Sequence, residues 1–331
     1  MKALIVGSGS IGTRHLKNLK QLHPKVSVAL WRQHGRQPLA DDISPLVESV
    51  FSSEAEAVAW RPDIALICNP SPLHVPVGLA LARAGAALFV EKPLADTLAA
   101  GRELVETCRA LKRTLFVAYN FPFNEALLQC HELVQSPQLG RIHSIRAEVG
   151  QYLPDWRPGR DYREGVTAQA KLGGGALLEL SHEIDHVLWT SGTAQNVSAR
   201  LKQRGDLEID VDDTVEMTLE LSSGALASIH LDLLRRDPFR QCTWAGAEGT
   251  LVWNGITNEV ILHEPGVNNR RVIYSDPKPD RNAMYLAELE HFLTAVDHPQ
   301  LCEASTQRAL QVLEVIEAAR KSSRTGAVVS L

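Results

Sequence analysis

The segment SHEIDH, residues 181–186, contains the spacing H-E-x-x-H. On a helix this spacing lets two histidines, here His182 and His186, bind zinc while the glutamate between them acts as a base. A zinc peptidase also needs a third protein ligand, and the following residues contain no H-x-x-G-x-x-H continuation. We therefore expect no metal at this segment and keep a zinc metallopeptidase as an alternative.

A second chemical pattern lies near the start of the chain. G-x-G-x-x-G spans residues 7–12, between an apolar run at 2–6 that predicts a strand and a helical pattern at 12–22. Between a strand and a helix, such glycines allow a tight turn, a close approach of pyrophosphate, and close packing of the helix on the strand. We expect a dinucleotide to contact Gly7, Gly9, Ser10, Ile11 and Gly12.

The end of the second predicted strand, residues 26–31, bears on the choice of cofactor. An Asp or Glu at this point would hold the ribose 2′-hydroxyl of NAD. Residues 31–36 contain no acid, and Arg32 is suited to a 2′-phosphate. We expect NADP, with NAD as the alternative.

Composition limits the classes of protein that remain. The chain has 331 residues, 44% of them hydrophobic, and a net charge of −5, which is typical of a globular protein of about two domains without a nucleic-acid partner. Its five cysteines form no C-x-x-C pair, and no apolar stretch is typical of a signal peptide or membrane span. We expect a cytoplasmic protein with no membrane partner.

The order of predicted elements divides the chain near residue 120. Short β-branched runs alternate with helical patterns up to that point, which indicates an α/β domain. Beyond it, alternating strands meet at turn-like steps, which favours an antiparallel sheet. We expect domains at 1–120 and 121–331, with the last helix able to pack back on the first domain.

Several further motifs occur in order along the chain. CNPSPLHVPVGLALARAGAALFVEKPL spans residues 68–94, and it is followed by AYNFPFN, GGGALLELSHEIDHVLW, AEGTLVW and YLAELEHFLTAV. With the glycine pattern, these motifs resemble the Gfo/Idh/MocA oxidoreductase family over nearly the whole chain. The resemblance implies a Rossmann NAD(P)-binding domain followed by an α+β domain with a largely antiparallel, open-faced sheet.

The same resemblance implies an activity and assigns site residues. It implies hydride transfer at a sugar, polyol or nucleotide-sugar carbon, and we expect a homo-oligomer, either a dimer or a tetramer. Lys92 would contact the nicotinamide ribose and the substrate as a proton donor, proton acceptor or orienting cation, and His182 would face the substrate. The other residues expected at the cofactor are Asn69, Pro70, His74, Glu91 and Asn120.

One position departs from the family pattern. Polyol dehydrogenases of this family commonly carry an Asp four residues before the histidine, where this chain has Leu178. Periodicity predicts one helix from about Leu177, with Glu179 about 100° away from the Leu178 position. Glu179 and Asp185 are therefore further catalytic candidates, His186 is a substrate candidate, and structural hydrogen bonding is the alternative for Asp185 and His186.

A further candidate for substrate binding is YLPDWRPGRDYR, residues 152–163. Three arginines here can clamp a carboxylate or phosphate, and aromatic residues can stack on a sugar. A solvated loop is the alternative for this set, which comprises Arg157, Arg160, Tyr162 and Arg163. For the whole chain, a non-catalytic NAD(P)-sensing protein is the alternative to an oxidoreductase.

Overall fold

The computed structural model describes residues 1–32, 38–266 and 269–331. Within these ranges the chain forms two compact units, Met1–Asn120 with Arg281–Leu310, and Phe121–Asp280 with Gln311–Leu331. These units differ from the ranges predicted from the sequence, because residues 281–310 belong to the first unit. No described helix is both long and apolar enough to span a bilayer.

The first unit contains a parallel sheet. In the described part of the chain its strands are Lys2–Val6 (β1), Ser27–Trp31 (β2), Ser49–Phe51 (β3), Ile64–Ile67 (β4), Ala87–Glu91 (β5) and Leu115–Ala118 (β6). Their order is β3-β2-β1-β4-β5-β6, the doubly wound order. Runs such as IALI in β4 are buried along their whole length because a parallel sheet is covered on both faces.

The α-helices lie in both units. In chain order they are Ser10–Leu22 (α1), Glu54–Ala59 (α2), His74–Arg83 (α3), Leu98–Ala110 (α4), Glu125–Gln135 (α5), Ala176–Glu179 (α6), His182–Ser191 (α7), Ala283–Ala295 (α8) and Glu303–Thr325 (α9). Helix α8 packs against α1 within the first unit. Its buried residues Leu289 and Phe292 explain why residues 281–310 join that unit, since their apolar surface is removed from water there.

The second unit contains a mostly antiparallel sheet. Its described strands are Ile142–Gly150 (β7), Ala194–Lys202 (β8), Thr214–Leu221 (β9), Leu226–Asp232 (β10), Phe239–Gly246 (β11), Thr250–Asn254 (β12), Glu259–His263 (β13), Arg270–Ser275 (β14) and Val329–Ser330 (β15). The order is β14-β13-β12-β11-β7-β10-β9-β8-β15, and β7 and β10 are the parallel neighbours.

This sheet is open on one side. Along β9, Val215, Met217 and Leu219 are buried, whereas the intervening Glu216 and Thr218 are exposed. Such alternation is typical of a sheet with one face on the core, and α5, α6 and α7 pack against the sheet. The predicted fold class, a Rossmann domain followed by an α+β domain with an open-faced sheet, is confirmed.

The prediction of one helix from about Leu177 is wrong. The chain forms α6, leaves helical geometry at Leu180, and begins α7 at His182. Asp212 holds the start of α6, since its Oδ2 accepts a hydrogen bond of 2.8 Å from the Leu177 N–H. Asp185 and His186 of α7 are fully buried.

Candidate active site

The carboxyl ends of neighbouring strands bring most of the predicted cofactor residues to one edge of the first unit. Gly7 follows β1, Asn69 follows β4, Lys92 follows β5 and Asn120 follows β6. Parallel strands end at a common edge, and a crevice forms where the strand order reverses, here between β1 and β4. The parallel sheet therefore positions these residues along a crevice of the kind that binds ligands.

The glycines of residues 7–12 have three different environments. Gly7 has a φ of +95°, which favours glycine. A Cβ on Gly12 would lie 2.1 Å from the Gly7 carbonyl oxygen, so α1 approaches the turn too closely for any side chain. A Cβ on Gly9 would have nothing within 4 Å. Turn geometry and helix packing thus require Gly7 and Gly12, while the open space at Gly9 suits an approaching pyrophosphate.

Buried polar atoms without a partner occur in the same region. Among the described residues, no hydrogen-bond partner reaches Arg32 Nε, Asn69 Oδ1, Ser71 Oγ or Asn120 Oδ1. Buried polar atoms are normally paired, so these four atoms call for a polar ligand or water. The ribose hydroxyls and phosphates of a dinucleotide provide such groups, and the residues present therefore fit that cofactor. Ser71 was not among the predicted residues.

His74 links two segments of this edge. Its Nε2 lies 2.7 Å from the Asn69 carbonyl oxygen, and its Nδ1 lies 3.0 Å from the Pro93 carbonyl oxygen. Burial lowers the pKa of His74, so the neutral ring donates to only one of these carbonyls at a time. His74 thereby ties the Asn69 segment to the segment after Lys92, and its direct contact with cofactor stays a prediction.

The Glu91-Lys92-Pro93 segment is also held from within the unit. Glu91 Oε1 lies 2.6 Å from His15 Nε2 on α1. Glu91 Oε2 accepts a hydrogen bond of 3.2 Å from the Lys92 backbone N–H. The Lys92–Pro93 peptide bond is cis. His15 was not predicted as a site residue, because 76 residues separate it from Glu91 and no local pattern pairs the two residues.

In the second unit, His182 is the first residue of α7 and is half-buried. Its ring stacks on that of Phe121, with ring centres 4.8 Å apart and planes inclined by 24°. Stacking restricts the rotation of the imidazole, so α7 and Phe121 together orient it. Phe121 had no signal as a site residue beyond its place in the motif AYNFPFN.

Glu183, the glutamate of the HEIDH segment, forms an ion pair with Arg240 of β11. The guanidinium donates two hydrogen bonds, Nε to Oε1 at 2.7 Å and Nη2 to Oε2 at 3.0 Å. Arg240 also lies over the Phe121 ring at 4.4 Å. A carboxylate held by two charged hydrogen bonds is a poor general base, so this geometry does not support a zinc peptidase.

His186 lies inside an aromatic cluster. Its ring centre is 5.9 Å from that of Trp253 and 6.1 Å from that of Trp244. Its Nδ1 donates to the His182 carbonyl oxygen at 3.1 Å. Burial, and secondarily the charge of Arg240, lowers the pKa of His186 to about 3, so the ring is neutral. Its predicted contact with substrate and the catalytic role of the buried Asp185 stay predictions.

Gly174, in the glycine run before α6, lies against another segment of the same chain. A Cβ on Gly174 would lie 2.4 Å from the Val166 carbonyl oxygen, so the loop that contains Val166 fills the space beside this glycine. Glu179 Oε2 accepts a hydrogen bond of 3.3 Å from Thr167 Oγ1. Leu178 is only 2% exposed and packs in the core. Whether Glu179 takes the role of the missing acid stays a prediction.

The arginine-rich loop divides into two pairs of residues. Arg163 forms ion pairs with Asp161 and Glu208, and the Tyr162 hydroxyl accepts a hydrogen bond of 3.2 Å from the Glu208 N–H. These two residues therefore secure the loop. Arg157 and Arg160 are exposed and are the better candidates for binding an anionic substrate group.

Comparison with known protein families agrees with both units. The model of an oxidoreductase family with an NAD-binding Rossmann fold, GFO_IDH_MocA, matches residues 1–119. The model of the GFO/IDH/MocA C-terminal domain matches residues 127–252.

Individual relatives are similar over almost the whole chain. The myo-inositol 2-dehydrogenase of Thermotoga maritima is 26% identical, covering 97% of this chain and 96% of that protein. D-xylose 1-dehydrogenase (NADP(+)) 2 of Haloferax volcanii is 24% identical, covering 99% of this chain and 98% of that protein. The structure of levoglucosan dehydrogenase in complex with NADH has the same fold, with a TM-score of 0.87 and 20% identity over 100% of this chain and 98% of that one.

Proposed function

The chain belongs to the Gfo/Idh/MocA oxidoreductase family, and we propose that it moves a hydride between a nicotinamide cofactor and a sugar, polyol or nucleotide-sugar carbon. As a member of this family it is an NAD(P)-dependent oxidoreductase. The substrate class is our proposal, and it is supported by relatives that are named for a polyol, myo-inositol, and for a sugar, D-xylose.

One observation carries this proposal. The glycine turn that fits a pyrophosphate and the Lys92 segment both follow strands of the same parallel sheet, at its carboxyl edge. A dinucleotide on the glycine turn extends along such an edge. This arrangement supports a role for Lys92 at the nicotinamide end of the cofactor.

We assign roles to the chain's own residues as follows. Lys92 moves a proton at the reacting substrate oxygen, because hydride transfer at carbon requires a proton to move at the attached oxygen. His182 orients the substrate hydroxyl, and Phe121 limits the rotation of the His182 ring. Asp185 and Glu179 are secondary candidates for handling the proton.

We further propose that NADP(H) is preferred over NAD(H). Arg32 directly follows β2, where the adenosine ribose of a dinucleotide lies in this fold, and its Nε has no partner among the described residues. A guanidinium at this point attracts a 2′-phosphate. Residues 33–36, the rest of the segment 31–36 that contains no acid, lie outside the described residues.

Turnover with a panel of compounds tests the proposed function. The protein is incubated with NADP⁺ or NAD⁺ and with polyols, aldoses, sugar acids and nucleotide sugars, and reduced cofactor is followed by its absorbance. We expect turnover of at least one compound, and its loss in Lys92→Ala. Tight cofactor binding without turnover of any compound in either direction would favour the NAD(P)-sensing alternative.

No observation favours the NAD(P)-sensing or metallopeptidase alternatives. The cytoplasmic location and the dimeric or tetrameric assembly expected from the sequence stay predictions. Size-exclusion chromatography with light scattering measures the assembly directly.

A further inference from the structure

The ring of Phe121 is the centre of a polar and aromatic cluster inside the second unit. The His182 ring stacks on it with ring centres 4.8 Å apart, and the guanidinium carbon of Arg240 lies 4.4 Å from its centre. The Trp253 ring meets it at an angle of 75°, with ring centres 5.7 Å apart. Arg240 and Trp253 therefore lie in the same cluster as His182, although neither was predicted as a site residue.

Arg240 uses only part of its hydrogen-bonding capacity. A guanidinium carries five N–H donors in a planar fork. Nε donates to Oε1 of Glu183 and Nη2 donates to Oε2, while no described residue accepts a hydrogen bond from Nη1. Two parallel N–H groups, one on Nη1 and the second on Nη2, therefore remain at the outer edge of the guanidinium for another pair of acceptors.

The guanidinium is also held in place before any ligand binds. Glu183, whose side chain is 1% exposed, fixes one edge, while the Arg240 side chain is 26% exposed. Its Cδ lies only 3.2 Å from where a Cβ on Gly255 would be, so the main chain passes close to the stem of the arginine. A donor pair fixed in this way loses little conformational freedom on binding, which favours recognition by Arg240.

Two further polar atoms of the cluster have no partner among the described residues. They are Nε1 of Trp253 and Nε2 of His186, and both are buried. Nδ1 of the neutral His186 donates to the His182 carbonyl oxygen, so Nε2 is an acceptor, whereas Trp253 Nε1 is a donor. Buried polar atoms are normally paired. The cluster thus combines aromatic faces with unused donors and an acceptor, which is typical of sites for small polar molecules.

The charge around Arg240 distinguishes between two kinds of acceptor pair. The two oxygens of a carboxylate, or two neighbouring hydroxyl groups of a sugar or polyol, can accept two parallel N–H groups. The positive charge of Arg240 is already matched by the buried carboxylate of Glu183. A second carboxylate would leave a net negative charge in a half-buried position, which is costly, whereas hydroxyl groups add no charge.

We propose that Arg240 is a substrate-binding residue whose outer N–H groups donate to two neighbouring hydroxyl oxygens of a neutral part of a sugar or polyol, beside the His182 ring. This inference rests on the proposed function, because the assignment of His182 to the substrate makes the cluster a substrate site. It also names the recognised group, a pair of neighbouring hydroxyls. Exposed Arg157 and Arg160 remain the candidates for an anionic group of the substrate.

Binding without turnover tests the recognised group. The protein is saturated with NADP⁺ or NAD⁺, whichever binds more tightly, and calorimetric titration gives the Kd of neutral polyols and aldoses, of their single-deoxy analogues and of the matching sugar acids. We expect at least one neutral compound to bind. One of its deoxy analogues should bind about 10-fold more weakly, because it loses a hydrogen bond to a charged donor.

Arg240→Lys tests the arginine itself. A lysine keeps a positive charge for Glu183 but has no planar fork, so the Kd of the neutral compound should rise about 10-fold and the deoxy analogue should bind nearly as well as its parent. Arg146→Lys is the matched control, since Arg146 is 76% exposed on β7 and points away from the buried face of that strand. It should leave both Kd values unchanged, and thermal melts show whether each variant is folded.

Glu183→Gln tests the charge argument. It leaves Arg240 in place but removes the matching negative charge, so the affinity for the sugar acids should rise about 10-fold relative to the neutral compound. A residue with only a structural role would not change this ratio. The test is also independent of Arg240→Lys, so it decides the matter if that variant does not fold.

These readouts separate the two proposals. An unchanged ratio of parent to deoxy Kd in a folded Arg240→Lys refutes the binding role whatever the activity, and so does failure of every neutral compound to bind. An unchanged ratio of acid to neutral affinity in Glu183→Gln also refutes it. Binding of a neutral compound that depends on Arg240, without hydride transfer in either direction, supports the binding role while the proposed function fails.

Discussion

Glu183 of α7 and Arg240 of β11 form a two-point ion pair, with Nε–Oε1 and Nη2–Oε2 distances of 2.7 and 3.0 Å. The Glu183 side chain is 1% exposed, while that of Arg240 is 26% exposed. This pair connects the helix that begins with His182 to the sheet, and it occupies the carboxylate that the H-E-x-x-H spacing marks as a base. The glutamate of this motif, Glu183, therefore has a structural role.

Loss of the arginine should destabilise the protein. Arg240→Met leaves the Glu183 carboxylate buried without its cation, so we expect the free energy of unfolding to fall by about 3 kcal/mol. The double variant Glu183→Leu with Arg240→Met should recover much of this loss. Urea denaturation measures the free energy of unfolding of the single and the double variant. Lys17→Ala removes the exposed pair with Asp42 and should have no measurable effect; an equal loss in Lys17→Ala and Arg240→Met would contradict this account.

Two glycines of the nucleotide turn should respond differently to alanine. Gly9→Ala has open space for its Cβ, so the melting temperature should be unchanged while the dinucleotide Kd rises about 10-fold. Gly12→Ala would place a Cβ 2.1 Å from the Gly7 oxygen and should lower the melting temperature. Calorimetric titration and thermal melts give the two quantities. Unchanged cofactor affinity in Gly9→Ala would argue that the pyrophosphate lies elsewhere.

Arg32 should set the cofactor preference. We expect NADP(H) to bind more tightly than NAD(H), and Arg32→Asp to erase or reverse this order, because an aspartate repels a 2′-phosphate and accepts hydrogen bonds from a 2′-hydroxyl. Isothermal titration with both cofactors measures the ratio of the two Kd values. Tighter binding of NAD(H) by the unaltered protein would show that Arg32 does not contact a phosphate.

Lys92 and His182 should both affect turnover. Lys92→Ala should lower kcat by about 10²- to 10⁴-fold, the usual contribution of proton transfer, while the cofactor Kd stays nearly constant. His182→Ala should lower kcat by less if the histidine only orients substrate. Single-turnover hydride transfer measures these rates, and an unaltered rate in a folded Lys92→Ala would exclude the proposed role.

Leu178 and Glu179 provide the matched comparison for the departure from the family pattern. Leu178→Ala removes a 2% exposed side chain and should cost about 2–5 kcal/mol of stability with no direct effect on the chemical step. Glu179→Gln keeps the size of the side chain, so a fall in kcat would show that Glu179 has taken the role of the missing acid. Equal kcat in Glu179→Gln and the unaltered protein would assign no such role.

His186 should make the protein less stable in acid. Its pKa is about 3 in the folded protein, against an ordinary histidine value of 6.5, so below pH 6.5 the unfolded chain binds a proton that the folded chain does not. Stability should therefore fall as the pH drops from 6.5, by about 2 kcal/mol at pH 5. His186→Phe should flatten this dependence in urea denaturation between pH 5 and 7.

His230 serves as the control with the opposite sign. Hydrogen bonds with Asp232 and Glu216 raise the pKa of His230 to about 9. Its contribution is present below pH 6.5 and is lost as the pH rises through 9. His230→Gln should therefore leave the slope between pH 5 and 6.5 unchanged and flatten the slope above pH 7. A steeper acid slope in His186→Phe would contradict the buried, neutral state of His186.

Much of the fold and part of the site could be predicted because they depend on short-range patterns. The run KALIV followed by three spaced glycines indicates a buried strand, a tight turn and a helix. Each of these three elements is indicated by residues that are close together in the sequence. Alternation in TVEMTLEL likewise indicates a sheet with one covered face. These local patterns were sufficient for an α/β region followed by an antiparallel sheet, for the glycine turn between a strand and a helix, and for the position of Lys92 after a strand, while the family resemblance added the Rossmann domain and the open-faced sheet.

Tertiary structure alone decided which distant residues meet. Glu183 contacts Arg240, which lies 57 residues later in the chain, and Glu91 contacts His15, which lies 76 residues earlier. Packing of helices on sheets brings these side chains together. The break between α6 and α7, the burial of His186 and the return of residues 281–310 to the first unit arise in the same way. The periodicity of the sequence indicates which face of a helix or strand is apolar. The partner of each buried polar group, however, is set by contacts between residues that are far apart in the chain.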